Sequence, residues 1–214
     1  MARYKLLLLL VLILGLLTGC KVVPEEKIYD IMEQTVVKEK DFEKQQKPLT
    51  ELESKEKKIF EEIMDLGMKD MEQMTKLANL ALDNLKERKE KMELEQKSMI
   101  ASKKEFSKIE DPIEKIESKQ LKKEAQDLFQ LMEKRYAFHD RLYEAYNKGI
   151  ETNIQLYKLL MKKDVSMDDL ENQIEITNKA YLEVLKMNEQ FNEQTKKFNN
   201  EKKKFYKLAK INID

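Results

Sequence analysis

The chain of 214 residues has a single cysteine, a single histidine and no tryptophan. Its four glycines and three prolines leave few residues that favour tight turns. One cysteine cannot form an intramolecular disulfide or a cysteine-type zinc site. The lone histidine, His139, excludes the two-histidine di-iron centre of some helical bundles. The composition therefore predicts long elements with few connections and no disulfide scaffold.

Neither sign of charge is in excess. The 41 lysines and arginines balance 41 aspartates and glutamates, and charged residues make up 38% of the chain. A balanced chain exerts no general electrostatic attraction on nucleic acid, so we predict no nucleic-acid partner. A high content of glutamate and lysine is typical of long, solvated helices.

The amino terminus has the layout of a secretory signal. Arg3 and Lys5 precede an apolar run over residues 6–17, which is too short to span a membrane comfortably. The only cysteine follows directly, in the order of a bacterial lipobox: Leu17, Thr18, Gly19 and Cys20. We therefore predict that the Cys20 thiol carries a diacylglycerol group. The alternatives are an uncut anchor or a chance cysteine.

Cleavage before the cysteine would divide the chain into three parts. Residues 1–19 are the predicted signal peptide, residues 20–24 a lipidated tether, and residues 25–214 a helical bundle domain. Two acyl chains suffice for stable attachment to a membrane. The predicted location is the extracytoplasmic face of the cell membrane.

Four helix starts are indicated by capping residues. Pro24 precedes two glutamates, and Thr50 opens a capping box of threonine with glutamate three residues later. Asp111 stands before a proline, and Ser166 has an acid three residues on. The connections are therefore expected near residues 108–111 and 162–166 and are short.

Pro48 permits two interpretations. A break or sharp kink would end a first helix, and the next would run from Thr50 to Lys108, about 90 Å at ~1.5 Å per residue. One kinked helix through Pro48 is the alternative, because a seven-residue stride continues from Ile28 to Ile63. We favour the break.

Apolar residues recur at intervals of three and four along each segment, and alternation of period two is absent. Short connections make neighbouring helices antiparallel. The predicted fold is all-α: an elongated, coiled-coil-like, up-and-down bundle of three long helices plus an N-terminal helix or kinked extension.

Two groups of residues have both a structural and a functional interpretation. Aromatic side chains in the third helix would either pack in the core, which we favour, or form a strip that stacks on sugars: Tyr136, Phe138, His139, Tyr143, Tyr146 and Tyr157. The lysines at 202–204 either complement the helix dipole or contact anionic lipid or teichoic acid. Adjacent acids such as Glu61 and Glu62 cannot face each other across a cleft, as a glycosidase requires. We predict no catalytic residue, cofactor or metal site.

Several short segments, in order, resemble the YkyA-like family of lipoproteins from low-GC Gram-positive bacteria, which is described as cell-wall-binding. They follow the lipobox at residues 24–29, 42–49, 66–69, 142–146 and 205–207. The resemblance implies a lipid-anchored helical bundle without catalytic residues. The leading hypothesis is a non-enzymatic module that binds peptidoglycan or teichoic acid, or acts as a spacer, between membrane and wall. The alternative is a scaffold or chaperone-like lipoprotein that binds exported or membrane proteins through helix faces.

Overall fold

The computed structural model describes residues 23–67 and 70–211, and every regular element in these ranges is a helix. The helices are α1 (Pro24–Lys38), α2 (Lys40–Leu66), α3 (Met71–Phe106), α4 (Glu110–Glu114), α5 (Lys119–Leu160) and α6 (Met167–Leu208), with a 3₁₀ turn (Ser107–Ile109) before α4. The all-α, elongated antiparallel bundle is confirmed. No helix in these ranges is both long and apolar enough to cross a bilayer.

Two antiparallel hairpins form the bundle. Helix α2 packs against α3, α5 packs against α6, and α3 joins the hairpins by packing against α5. Helix α1 extends the α2 side and packs on α3 and α4. With a rise of ~1.5 Å per residue, α1 and α2 together extend about 60 Å. The start of α1, the α3–α5 connection and the end of α6 therefore share one end of the rod, which we call the basal end.

Two of the predicted helix starts are confirmed. Pro24 occupies the first turn of α1, followed by two glutamates. Ser166 caps α6, and its hydroxyl oxygen accepts a hydrogen bond from the Asp169 backbone N–H at 3.1 Å. The connection from α5 to α6 lies over residues 161–166, close to the predicted loop.

The predicted helix start at Thr50 is wrong, because α2 continues through Pro48. The Thr50 hydroxyl donates to the Gln46 carbonyl oxygen at 3.0 Å, within the same helix. The seven-residue stride across the proline was the better indicator. Packing against α3 holds α2 helical despite the missing N–H of Pro48.

The interruption lies instead at Glu39, between α1 and α2. Ser98 on α3 satisfies the backbone groups that this interruption leaves free. Its hydroxyl oxygen accepts from the Phe42 N–H at 3.1 Å and donates to the Lys38 carbonyl at 2.6 Å. A tertiary contact therefore fixes a helix boundary at which the local sequence has no breaker.

Two other boundaries also correct the sequence analysis. A single helix from Thr50 to Lys108 does not form, because α2 ends at Leu66. The next residue, Gly67, has a φ of 58°, which residues with a side chain rarely adopt. Asp70 then caps α3 by accepting from the Gln73 N–H at 3.0 Å. Asp111 lies within the short α4 and does not cap the third long helix. That helix begins after Ser118, whose hydroxyl oxygen accepts from the Leu121 N–H.

We predict that Pro48→Ala stabilises the bundle. Alanine restores an N–H to the interior of α2 and removes the clash of the proline ring with the preceding turn. After allowance for the more flexible unfolded chain, the gain should be about 1–2 kcal/mol. Urea unfolding followed by circular dichroism measures it, with the exposed neighbour Lys47→Ala as control. A lower unfolding free energy for Pro48→Ala would contradict this account of α2.

An open groove along the bundle as the candidate functional site

One side of the four-helix arrangement is open. The backbones of α1 and α2 do not pack closely against that of α6, although side chains such as Phe42 and Phe191 meet across the gap and all three helices flank the central pair α3 and α5. We call the space between them the seam groove. It contains three cavities of about 120, 340 and 250 Å³, named basal, central and distal by their order from the basal end.

Aromatic rings and uncharged polar groups, mainly amides and hydroxyls, form much of the lining of the groove. The side of α6 contributes a run of uncharged polar residues at helical spacing: Thr177, Asn178, Asn188, Asn192, Thr195 and Asn199. The opposite side contributes Phe42, Gln46, Thr50 and Phe60 from α2. This lining can offer hydrogen bonds and flat apolar faces to a ligand that lies along the rod.

A buried arginine on α5 connects both sides of the groove. Arg135 forms a two-bond fork with the Glu39 carboxylate, at 2.7 and 2.8 Å. Its Nε donates to the Thr195 hydroxyl oxygen on α6 at 2.9 Å, and its guanidinium lies 4.9 Å from the Phe191 ring centre. Ser102 donates to the same Glu39 carboxylate at 2.7 Å. The α1–α2 interruption is therefore fixed to α3, α5 and α6 through one ion pair.

A second buried arginine, on α3, also connects both sides of the groove, nearer the distal end. Arg88 is 2% exposed, and its Nε donates to the Tyr146 hydroxyl oxygen at 2.8 Å. Its other nitrogens lie 3.5 Å from Glu53 and 3.7 Å from Glu56, both on α2. On the α6 side, the Tyr181 hydroxyl oxygen accepts from Arg88 at 3.4 Å. The charges that reach this part of the groove are thus already paired.

An aromatic cluster spans the groove between the two arginines. The ring centres of Phe42, His139 and Phe191 lie 5.4–5.8 Å from one another, in edge-to-face contacts. His139 has no exposed surface, and neither ring nitrogen has a hydrogen-bond partner in the described part of the chain. Burial, with a contribution from Arg135, lowers the pKa of His139 to about 4. The ring is therefore a neutral packing element at physiological pH.

Glu95 on α3 lines the central cavity and is 3% exposed. It hydrogen-bonds to the Gln46 side-chain amide, and among the described residues it forms no ion pair with a cation. Burial raises the pKa of Glu95 to about 8, with a smaller opposing effect of the Gln46 hydrogen bond and a further rise from Glu53. This carboxyl group is therefore mostly protonated at neutral pH.

The predicted site residues fall in different parts of the molecule. The lipobox residues Leu17, Thr18, Gly19 and Cys20 lie outside the described residues. Core packing is confirmed for four of the aromatic-helix residues: Tyr136, His139, Tyr146 and Tyr157 are buried. Lys202, one of the lysines at 202–204, lines the basal cavity. In residues 23–67 and 70–211, no group of three or more histidine, cysteine or acidic side chains is placed to hold a metal ion.

Sequence reasoning missed the two buried arginines and Glu95. Arginine is rare here, with only four among the 41 basic residues: Arg3, Arg88, Arg135 and Arg141. Because arginine is preferred over lysine where a buried cation must make several directed hydrogen bonds, its rarity was a usable signal. Glu95 had no such signal, because glutamate is abundant throughout the chain.

We predict that Arg88→Met destabilises the bundle by about 1–3 kcal/mol, since it removes the buried donor to the Tyr146 hydroxyl and the cation shared by Glu53 and Glu56, of which Glu53 is nearly half exposed. The matched control is Lys89→Met, the next residue on α3, which is exposed and should change the unfolding free energy by less than ~0.5 kcal/mol. Urea unfolding of both variants measures the difference. Equal stability of the two variants would show that the Arg88 cluster does not hold α2 to α3.

Comparisons with known proteins cover nearly the whole chain. The sequence model of a family described as "Putative cell-wall binding lipoprotein", YkyA, matches residues 23–208. The chain is 37% identical over 195 residues to the uncharacterized lipoprotein YkyA of Bacillus subtilis strain 168, and the match covers 91% of this chain and 87% of that protein.

A solved structure shares the fold. A 1.6 Å crystal structure of a conserved protein of unknown function from Staphylococcus aureus superposes with a TM-score of 0.70 at 19% identity. The superposition covers 90% of this chain and 98% of that one. At this identity the likeness shows the fold alone, whereas the family match rests on sequence. The chain belongs to the YkyA family of lipoproteins.

Proposed function

We propose that this protein is a non-enzymatic lipoprotein, anchored through Cys20 at the outer face of the cell membrane, whose seam groove binds a polymer of the cell wall. The observation that carries this proposal is the groove itself. It is a line of three cavities along one side of the rod, separated by side-chain contacts and lined by aromatic rings, amides and hydroxyls. Cavities in a line suit successive units of an elongated ligand better than a single small ligand.

The balance of charge in the groove supports an uncharged surface of the polymer as the part that is bound. Arg135 is paired with Glu39, and Arg88 is paired with Glu53 and Glu56. The α6 side of the central cavity has no charged residue, and half of its residues carry an amide or a hydroxyl. Glycan hydrolysis ordinarily requires two carboxyl groups on either side of the scissile bond. In the central cavity Glu53 is paired with Arg88, so Glu95 has no free carboxylate opposite it among the described residues, which supports binding without catalysis.

The short stretch between Cys20 and α1 supports an arrangement in which the basal end lies close to the membrane. Pro24 lies four positions after Cys20, so an extended tether would span no more than about 14 Å. The basal end would then lie near the lipid, and the turn after α2 would reach about 60 Å further out when the rod stands upright. A rod of this length would present its groove within the space between membrane and wall.

Exposed leucines on α6 favour a protein partner as the second candidate. Leu182 and Leu185 are 64% and 65% exposed, and residues at i and i+3 share a helix face. A partner helix could cover them, as in other helix–groove contacts. Such a partner would not require wall polymer.

We predict that Cys20→Ser abolishes lipid labelling and leaves the signal peptide uncut or the protein released into the medium. Serine has no thiol to accept the diacylglycerol group on which processing of a lipobox depends. Metabolic labelling with an alkyne fatty acid, followed by membrane fractionation, measures both effects, and Thr18→Ser is the control. Unchanged labelling would remove Cys20 as the anchor.

We further predict that residues 21–214, expressed without the anchor, co-sediment with purified sacculi. Binding that survives removal of teichoic acids assigns the ligand to peptidoglycan, and binding lost with them assigns it to teichoic acid and to the lysine-rich end of α6. An unanchored Leu182→Ser variant, at an exposed position that lines none of the three cavities, should still bind sacculi. Absence of binding by the unaltered domain would contradict wall binding and favour a protein partner.

A further inference from the structure

The central cavity of the seam groove contains a buried carboxyl group that has no counter-ion among residues 23–67 and 70–211. Glu95 lies in the cavity lining, and its hydrogen bond in the described chain is to the side-chain amide of Gln46. Buried acids are ordinarily paired with a cation or with several donors, because an unpaired buried charge is costly. The hydrogen bond from Gln46 occupies Oε1 of Glu95, and Oε2 has no hydrogen bond within the described part of the chain.

The charged and titratable groups around Glu95 do not neutralise it. Helix α2 contributes Glu53, which lies against Arg88 on α3. Helix α5 contributes Arg135, engaged by Glu39, together with His139 and Tyr146. The α6 residues that line the cavity are uncharged. A neutral carboxyl group that faces an uncharged cavity lining is suited to donate a hydrogen bond and not to bind an ion.

The other groups in the cavity complement an acetamido group. A protonated Glu95 can donate to a carbonyl oxygen, and the amide oxygens of Asn188 and Asn192 can accept from an amide N–H. Phe42 and Leu185 offer apolar surface for a methyl group. The volume of about 340 Å³ lies at the small end of ligand pockets, roughly 300–1,000 Å³, and suits one or two sugar units.

We propose that the central cavity binds an N-acetylated sugar of a glycan strand, with Glu95 as the hydrogen-bond donor to the acetamido carbonyl oxygen. This inference rests on the proposed wall-binding function and names the chemical group that is recognised. An ammonium group is disfavoured because it requires an ionised Glu95, and an anion is disfavoured by the adjacent Glu53.

The test uses residues 21–214 and two small probes, N-acetylchitotetraose and its fully deacetylated counterpart, with binding measured by titration calorimetry at pH 6. The acetylated probe should bind and the deacetylated one should not. Glu95→Leu removes the donor without adding charge and should weaken binding about tenfold or more, as expected for an unsatisfied buried group. Glu90→Gln, at an exposed position on the same helix, should bind like the unaltered chain.

The pH dependence separates a donor from a packing residue. Since the pKa of Glu95 is about 8, its protonated fraction falls about tenfold from pH 6 to pH 9, and affinity should fall with it. Two neighbouring groups, His139 and Tyr146, do not titrate in this interval, since the pKa of His139 is near 4 and that of Tyr146 is above its usual value. Glu95→Gln keeps a donor, so it should bind at pH 6 and lose little affinity at pH 9.

Three results would overturn the inference. They are tighter binding of the deacetylated probe, full affinity of Glu95→Leu in a variant shown to be folded by circular dichroism, and an unchanged affinity between pH 6 and pH 9. Co-sedimentation with sacculi distinguishes failure of this site from failure of the proposed function. If Glu95→Leu and the unaltered domain bind sacculi equally, the wall-binding function stands and the central cavity is not its site.

Discussion

Two buried arginines on the central helices hold this bundle together across a side on which the helix backbones do not meet. Arg135 on α5 and Arg88 on α3 each reach acids on the α1–α2 side and polar groups on α6. Because a buried guanidinium must be surrounded by acceptors, these side chains fix the spacing of the outer helices. A purely apolar seam would be expected to close, as in an ordinary four-helix bundle. The open groove is therefore a consequence of where the buried charges lie.

The sequence predicts the helical class and two of the helix starts, because capping and apolar spacing are local. The other boundaries depend on contacts distant in sequence or on weaker local signals. The interruption at Glu39 is held by Ser98 and Arg135, 59 and 96 residues away, and no local pattern marks it. Gly67 was the local signal for the turn after α2, but a single glycine within a helical pattern predicts a turn only weakly. The candidate groove was not predictable at all, since its lining comes from α1, α2, α3, α5 and α6.

The interior of the groove explains how a strongly charged chain can present a neutral binding surface. The exposed faces carry most of the lysines and glutamates, whereas in the groove Arg88 and Arg135 are paired with acids, Glu95 is neutralised by protonation, and Lys202 is a cation at the basal cavity. Amides, hydroxyls and rings remain free to contact a ligand. A glycan strand is likewise uncharged, elongated and able to form hydrogen bonds. Membrane attachment through Cys20 would place this surface between the lipid and the wall.

Methionine methyl groups offer the most direct test that the seam groove is the binding surface. Met92 and Met32 line the central and basal cavities, whereas Met64 and Met167 are exposed outside them. Methyl-labelled residues 21–214 would be titrated with muramidase-solubilised wall glycan and followed by two-dimensional NMR. The account predicts shifts of the Met92 and Met32 signals with little change at Met64 and Met167. Shifts confined to Met64 and Met167, with Met92 and Met32 unchanged, would contradict it.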